Sequence, residues 1–132
     1  MNTENNKIIA EFMGLELEET LSGKFVYARN EFNNPNKEND CQTNFYEANE
    51  LCFHSDWNWL MEVVDKIESL GYISNQDSRI CEGSLKPIYY FRIFIKHYKG
   101  QNVGYSKANT GIEAVYNACV EFIKWYNDEN NS

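Results

Sequence analysis

Residues 55–71 read Ser55-Asp56-Trp57-Asn58-Trp59-Leu60-Met61-Glu62-Val63-Val64-Asp65-Lys66-Ile67-Glu68-Ser69-Leu70-Gly71, and the fold class turns on this stretch. Trp57, Leu60, Met61, Val64 and Ile67 share one stripe at helical spacing, with Leu70 extending it and Trp59 and Val63 widening it. Ser55 or Asp56 can accept from the amides that the first turn of a helix leaves unbonded. Gly71 provides the left-handed residue on which helices end, and Tyr72 can fold back across it. A helix with so wide an apolar stripe needs partners on most of its circumference.

Downstream, Ile73, Ile80 and Leu85 stand among polar residues in a looser segment. Pro87 then introduces the strongest strand, Ile88 to Tyr98. Side chains alternate in direction along a strand. One face therefore carries Tyr89, Phe91, Ile93 and Ile95, a core face; the other carries Tyr90, Arg92, Phe94, Lys96 and Tyr98. Gly100 and Gln101-Asn102 suggest a hairpin into Val103-Gly104-Tyr105. Thr110-Gly111-Ile112-Glu113 reads as a capping box opening a last helix, buried along Ile112, Val115, Cys119, Phe122, Ile123 and Tyr126. The tail, 128–132, is expected to fray.

Upstream, residues 5–13 read as a helix through Ile8, Ile9, Phe12 and Met13, closed by Gly14. Leu15-Glu16-Leu17-Glu18 alternates as a half-buried strand does, and Phe25-Val26-Tyr27-Ala28 resumes after the Ser22-Gly23 turn. Residues 30–44 are rich in Asn and read as a polar surface loop, with a strand returning over Leu51-Cys52-Phe53-His54. The order helix, strands, helix, strands, helix predicts an α+β fold, a mostly antiparallel sheet carrying three helices on both faces, in a single domain over 1–132.

The 132 residues carry a formal net charge of -8. A field of that sign disfavours non-specific binding to nucleic acid or to anionic lipid, while leaving room for a local anion pocket. The acidic residues are dispersed, with only Glu16, Glu18 and Glu19 close together, unlike the dense carboxylate rows of a DNA mimic. No apolar run approaches the roughly 20 residues that span a bilayer. Met1 to Asn6 is polar, without the marks of a leader, and Cys41, Cys52, Cys81 and Cys119 form no C-x-x-C pair. Free thiols and a cytoplasmic location are expected.

Cys52-x-His54 and Asp56 invite comparison with a nucleophile or metal site, but the spacing supplies too few ligands for structural zinc, and His97 stands apart. His54 is read as bonding backbone groups at a strand–helix junction. Gly100 to Gly104 precedes no helix and lacks Lys-Ser/Thr, so it is neither a P-loop nor a dinucleotide fingerprint. Asp56, Glu62 and Asp65 read as a solvated helix face. No catalytic residue, metal or cofactor is therefore expected. The stripe Tyr90, Arg92, Phe94, Lys96 and Tyr98 alternates aromatic and basic side chains, the combination that stacks bases and clamps phosphates. In a sheet covered on both faces it would instead be packed, its cations reaching for the rim.

Phe53 to Glu68, with its tryptophan pair, and Ile112 to Asn127 resemble the signature of the phage ABA sandwich domain, and Lys7 to Gly14 fits that family's opening helix. The matching segments cover the three helices, about a third of the chain. The resemblance implies a three-layer α-β-α sandwich encoded by phages and prophages, working in the host cytoplasm and without an assigned activity. It implies an accessory protein that acts by binding a host protein, such as a component of host defence, or by sequestering a small nucleotide-like signal. Apart from the resemblance, a homo-oligomer is among the expected forms. A small enzyme is a third option. The segment 30–44 stands out as a local elaboration. The order of elements over 56–127 also resembles a double-stranded-RNA-binding topology, yet the last helix offers only Lys124 as a cation beside Glu113 and Glu121, which argues against phosphate binding there.

Overall fold

Each stretch with a clear period forms the element that its period calls for. The computed structural model of the chain describes residues 2–32, 41–80, 86–95 and 101–130. Over these run α1 (Asn2–Phe12), β1 (Glu16–Glu19), β2 (Phe25–Phe32), β3 (Cys41–Tyr46), a 3-10 turn (Ala48–Glu50), α2 (Trp57–Ser69), β4 (Tyr72–Ile80), β5 (Pro87–Ile95), β6 (Asn102–Ala108) and α3 (Gly111–Asn130). The fold is α+β with three helices, and all strand pairing is antiparallel. The strands form two three-stranded sheets, β1-β2-β3 and β4-β5-β6, where the sequence suggested one. The described chain comprises two compact units, 1–51 and 52–132.

In the first unit α1 ends where Gly14 takes φ +76, and the Leu15 amide reaches back to the Ala10 carbonyl at 3.0 Å. Ile9, Ala10, Tyr27 and Leu51 are buried. Asn6 is buried with them, its amide donating to the Leu51 carbonyl at 3.0 Å, so its polar end is satisfied. β1 is exposed along its whole length, including Leu17, contrary to the half-buried strand expected. Residues 30–44 are less loop than read: β2 runs on to Phe32 and β3 starts at Cys41, leaving 33–40 outside the described residues.

In the second unit the α2 amide of Asn58 donates to the Asp56 side chain at 2.8 Å, which fixes Asp56 as N-cap. The buried residues of α2 are Trp59, Leu60, Val63, Val64 and Ile67, whereas Trp57 and Met61 are each 42% exposed. The stripe is thus rotated from the expected one. Trp59, Val63 and Ile67 recur at i, i+4 and i+8, and Trp59 sets its ring edge-on to Phe53 at 5.2 Å. Leu51 to His54 is no strand: the Ser55 and Asp56 amides both donate to the Cys52 carbonyl in a turn that leads into the helix. The supposedly loose segment after Gly71 is β4, paired with β5 over nine residues. Its polar sequence hid the strand from any hydrophobic count. α3 runs to Asn130, and 131–132 lie outside the described residues.

α3 packs on β5 and β6, and α2 on β4 and α3. Phe91 and Ile93 are buried on the face that carries them. Tyr72, paired with Ile95 on that face, turns its ring edge-on to Phe122 of α3 at 4.8 Å. Gly104, opposite Ile93, lets α3 come so close that a Cβ would stand 2.6 Å from the Ala118 carbonyl oxygen. Trp57, Gln76 and Tyr89 meet around Gly111, so α2 and the start of α3 lie over the same side of the sheet.

Candidate functional site

The opposite side of the β4-β5-β6 sheet brings together the chemistry worth pursuing. Directly paired residues of antiparallel strands point to the same side. The register therefore sets Asp77, Tyr90 and Lys107 in one row and Asn75, Arg92 and Tyr105 in the next, with Arg79 and Ile88 flanking the first. Asn75, Asp77, Arg79, Arg92, Tyr105 and Lys107 are all exposed, and Tyr90 is half-buried among them. Tyr105 keeps 41% of its surface open. Asp77, Arg79, Tyr90, Arg92 and Tyr105 line a hollow of about 120 Å³.

The two arginines are held differently. Arg79 gives its Nε–H to Asp77 Oδ2 at 3.2 Å and lies with its guanidinium carbon 5.7 Å from the Tyr90 ring centre. Asp77 is itself fixed, accepting the Ser78 amide on Oδ1 at 2.8 Å. The contact to Asp77 thus engages Arg79 through its Nε–H and not through its terminal nitrogens. No hydrogen bond or ion pair engages Arg92 among the described residues. Tyr90 and Tyr105 stand 6.4 Å apart with their planes inclined by 34°, side by side as a shallow aromatic floor. On the helical side of the β6 edge, Glu121 of α3 accepts the Tyr105 backbone amide at 3.2 Å.

Of the residues proposed from sequence, Tyr90, Arg92 and Phe94 lie on this side of the sheet, with Phe94 half-buried one row further along, paired with Ile73 and Asn102. Lys96 and Tyr98 lie outside the described residues, as do His97 and Gly100. Asp77, Arg79, Tyr105 and Lys107 were missed. For the first two no signal was available, since β4 has no hydrophobic alternation. Tyr105-x-Lys107 repeats the aromatic–basic alternation of Tyr90-x-Arg92 and was legible.

Elsewhere, His54 is half-buried with its ring 6.1 Å from Tyr116, at the turn before α2. Among the described residues no three His, Cys, Asp or Glu side chains converge on one point, and no helix is long and apolar enough to cross a membrane. Cys52 and Cys119 are free thiols, while Cys81 and the Cys41 side chain fall outside the described residues. Burial pushes the Cys119 thiol far above its ordinary range and the Tyr116 phenol up to about 12, so both stay protonated at neutral pH. In the first unit a second hollow, about 260 Å³, is lined by Glu18, Glu19, Thr20, Val26 and Phe45, with Phe45 exposed.

No known family model, curated protein or solved structure matches the chain.

Proposed function

We propose that this chain is a non-enzymatic binding protein whose β4-β5-β6 sheet holds a nucleotide-like anion on the side away from its helices. One observation carries the reading: on a protein of net charge -8, two arginines and two tyrosines line a single hollow, and Arg92 there is exposed and unengaged among the described residues. A guanidinium left open to solvent can give charge-assisted, bidentate hydrogen bonds to a phosphate. An adjacent ring offers a base a stacking surface worth roughly 1–3 kcal/mol. The hollow is well below the roughly 300–1,000 Å³ that engulfs a whole small molecule, so the ligand is held at its anionic end and lies otherwise on the surface.

The phage setting, the host cytoplasm and a role against host defence belong to the same proposal and rest on the resemblance of the three helices. In that setting the protein works as a sponge for a nucleotide-like signal. A second reading, capture of a host protein, draws support from the first unit, where Leu17, Phe25 and Phe45 are more than half exposed.

Calorimetric titration of wild type and Arg92→Ala with a panel of nucleotides and cyclic dinucleotides tests the first reading. Binding by wild type should fall at least about tenfold in the variant, as expected for loss of a charge-assisted pair, with an unchanged melting temperature. Binding that survives the substitution would remove this face from consideration. Silence across the whole panel would leave the protein partner as the better account.

A further inference from the structure

Resting on that reading of the sheet face, we infer that the hollow is built for the terminal phosphomonoester of a nucleotide and discriminates against an internal phosphodiester. The argument is one of donors and oxygens. Arg79 on β4 and Arg92 on β5 line the hollow from neighbouring strands, in different rows of the register. Each guanidinium is a planar fork that grips two oxygens at once. Two forks on one phosphorus need at least three terminal oxygens, even if they share one. A phosphomonoester has three terminal oxygens; a diester has two, enough for a single fork.

The preparation of the two forks points the same way. Asp77 takes the Nε–H of Arg79, and the Tyr90 ring supports the guanidinium from below, so the fork that remains is the one formed by its terminal nitrogens. Asp77 is thereby a positioning residue for Arg79. Arg92 carries no such restraint among the described residues, so its fork is open to either ester, and the Arg79 fork is the one that only a monoester can also fill. The volume, about 120 Å³, admits a tetrahedral oxyanion and not the nucleoside attached to it. The nucleoside then extends over Tyr105, which borders the hollow and is 41% exposed.

The charged groups around the position are Asp77 and Arg79 on β4, Arg92 on β5, Lys107 on β6 beside Tyr90, and Glu121 of α3 behind the β6 edge. Arginine and lysine keep their charge across the weakly acidic range. The ligand itself changes charge in this range, its second phosphate ionisation lying near pH 6.

The test is calorimetric titration of the full chain with a nucleoside 5′-monophosphate, its methyl phosphodiester and the bare nucleoside, at about pH 7.5 and about pH 5, either side of the phosphate ionisation. The monoester should bind about tenfold tighter than the diester at the higher pH, one further charge-assisted pair being worth that much, and the gap should narrow at the lower. Arg79→Ala should bring the monoester down to the level of the diester while sparing diester binding. Asp77→Asn should reduce the same ratio, a readout that a merely structural role would not move. Arg92→Ala should weaken both ligands, and thermal melts of each variant should match wild type. Equal affinity for monoester and diester overturns the inference and leaves the proposed face standing, provided that Arg92→Ala still weakens both. No binding of either ester by wild type overturns the inference together with the reading on which it rests.

Discussion

Trp57 and Trp59 are two residues apart on one helix and differ in what they can cost. Trp59 is 7% exposed and packs edge-on against the buried Phe53, whereas Trp57 is 42% exposed. Truncating a buried tryptophan removes both its transfer free energy and the contacts of its neighbours. Trp59→Ala is expected to destabilise by about 3–5 kcal/mol, and Trp57→Ala by about 1 kcal/mol, since much of its ring stays in water. Urea melts of the two variants check the order; equal losses would mean that the helix face is wrongly placed. The buried protonated groups set a second expectation. Tyr116, pushed up to about 12 by burial, keeps its proton in the folded chain while an unfolded tyrosine loses its own near pH 10. Above that pH the native state binds more protons than the unfolded one, so stability declines as pH rises. Cys119, raised in the same direction by burial, starts the decline at lower pH. Denaturant midpoints should hold steady up to about pH 8 and fall between about pH 9 and pH 12, given these ordinary values. Tyr116→Phe should flatten the upper part of that fall.

Among the elements, β6 carries the tightest constraint. Gly104 sits where α3 crosses it, with an added Cβ 2.6 Å from the Ala118 carbonyl oxygen and 3.0 Å from the Phe122 Cβ. Helix backbone cannot rotate away as a flexible side chain would, so Gly104→Ala must push α3 and the sheet apart. The expected loss is about 1–3 kcal/mol, the usual cost of overpacking, and a thermal melt below wild type by several degrees would register it. The helices were legible in sequence because their periods are strong and their ends are marked: Asp56 caps α2, Gly14 takes positive φ after α1, and Thr110 accepts the Glu113 amide at the head of α3. β5 was legible for the same reason. β4 was not, because Ser74, Gln76 and Ser78 stand where a half-buried strand would show apolar residues. Their strand is defined by backbone pairing with β5, the next strand along the chain, and such pairing leaves no mark in the side-chain pattern of β4 itself. The candidate site shared that fate. Tyr90 and Arg92 were visible as an alternation, but Asp77 and Arg79 belong to the strand that the pattern concealed.

The molecule as a whole distributes its buried mass unevenly between its two units. Among the described residues, nine of the twelve largest fully buried side chains belong to 52–132, including Phe53, Leu60, Ile67, Ile93, Phe122 and Ile123. Within that unit a three-stranded sheet has one face packed by a 13-residue and a 20-residue helix, an arrangement with a core of its own. The first unit sets Ile9, Leu51 and Asn6 against it in the same ranking, over a length at which independent folding is marginal. The fragment Cys52–Ser132, expressed alone, is therefore expected to unfold cooperatively and to retain near-ultraviolet circular dichroism from its packed rings, while the fragment 1–51 alone should show neither. All the residues of the proposed anion hollow lie in the larger fragment, so it should also keep the nucleotide affinity of the full chain to within about threefold, a difference of under 1 kcal/mol. A fragment that melts cooperatively yet binds far more weakly would mean that residues of the first unit complete the site. A fragment without a cooperative transition would mean that its core depends on the first unit, whatever its count of buried side chains suggests.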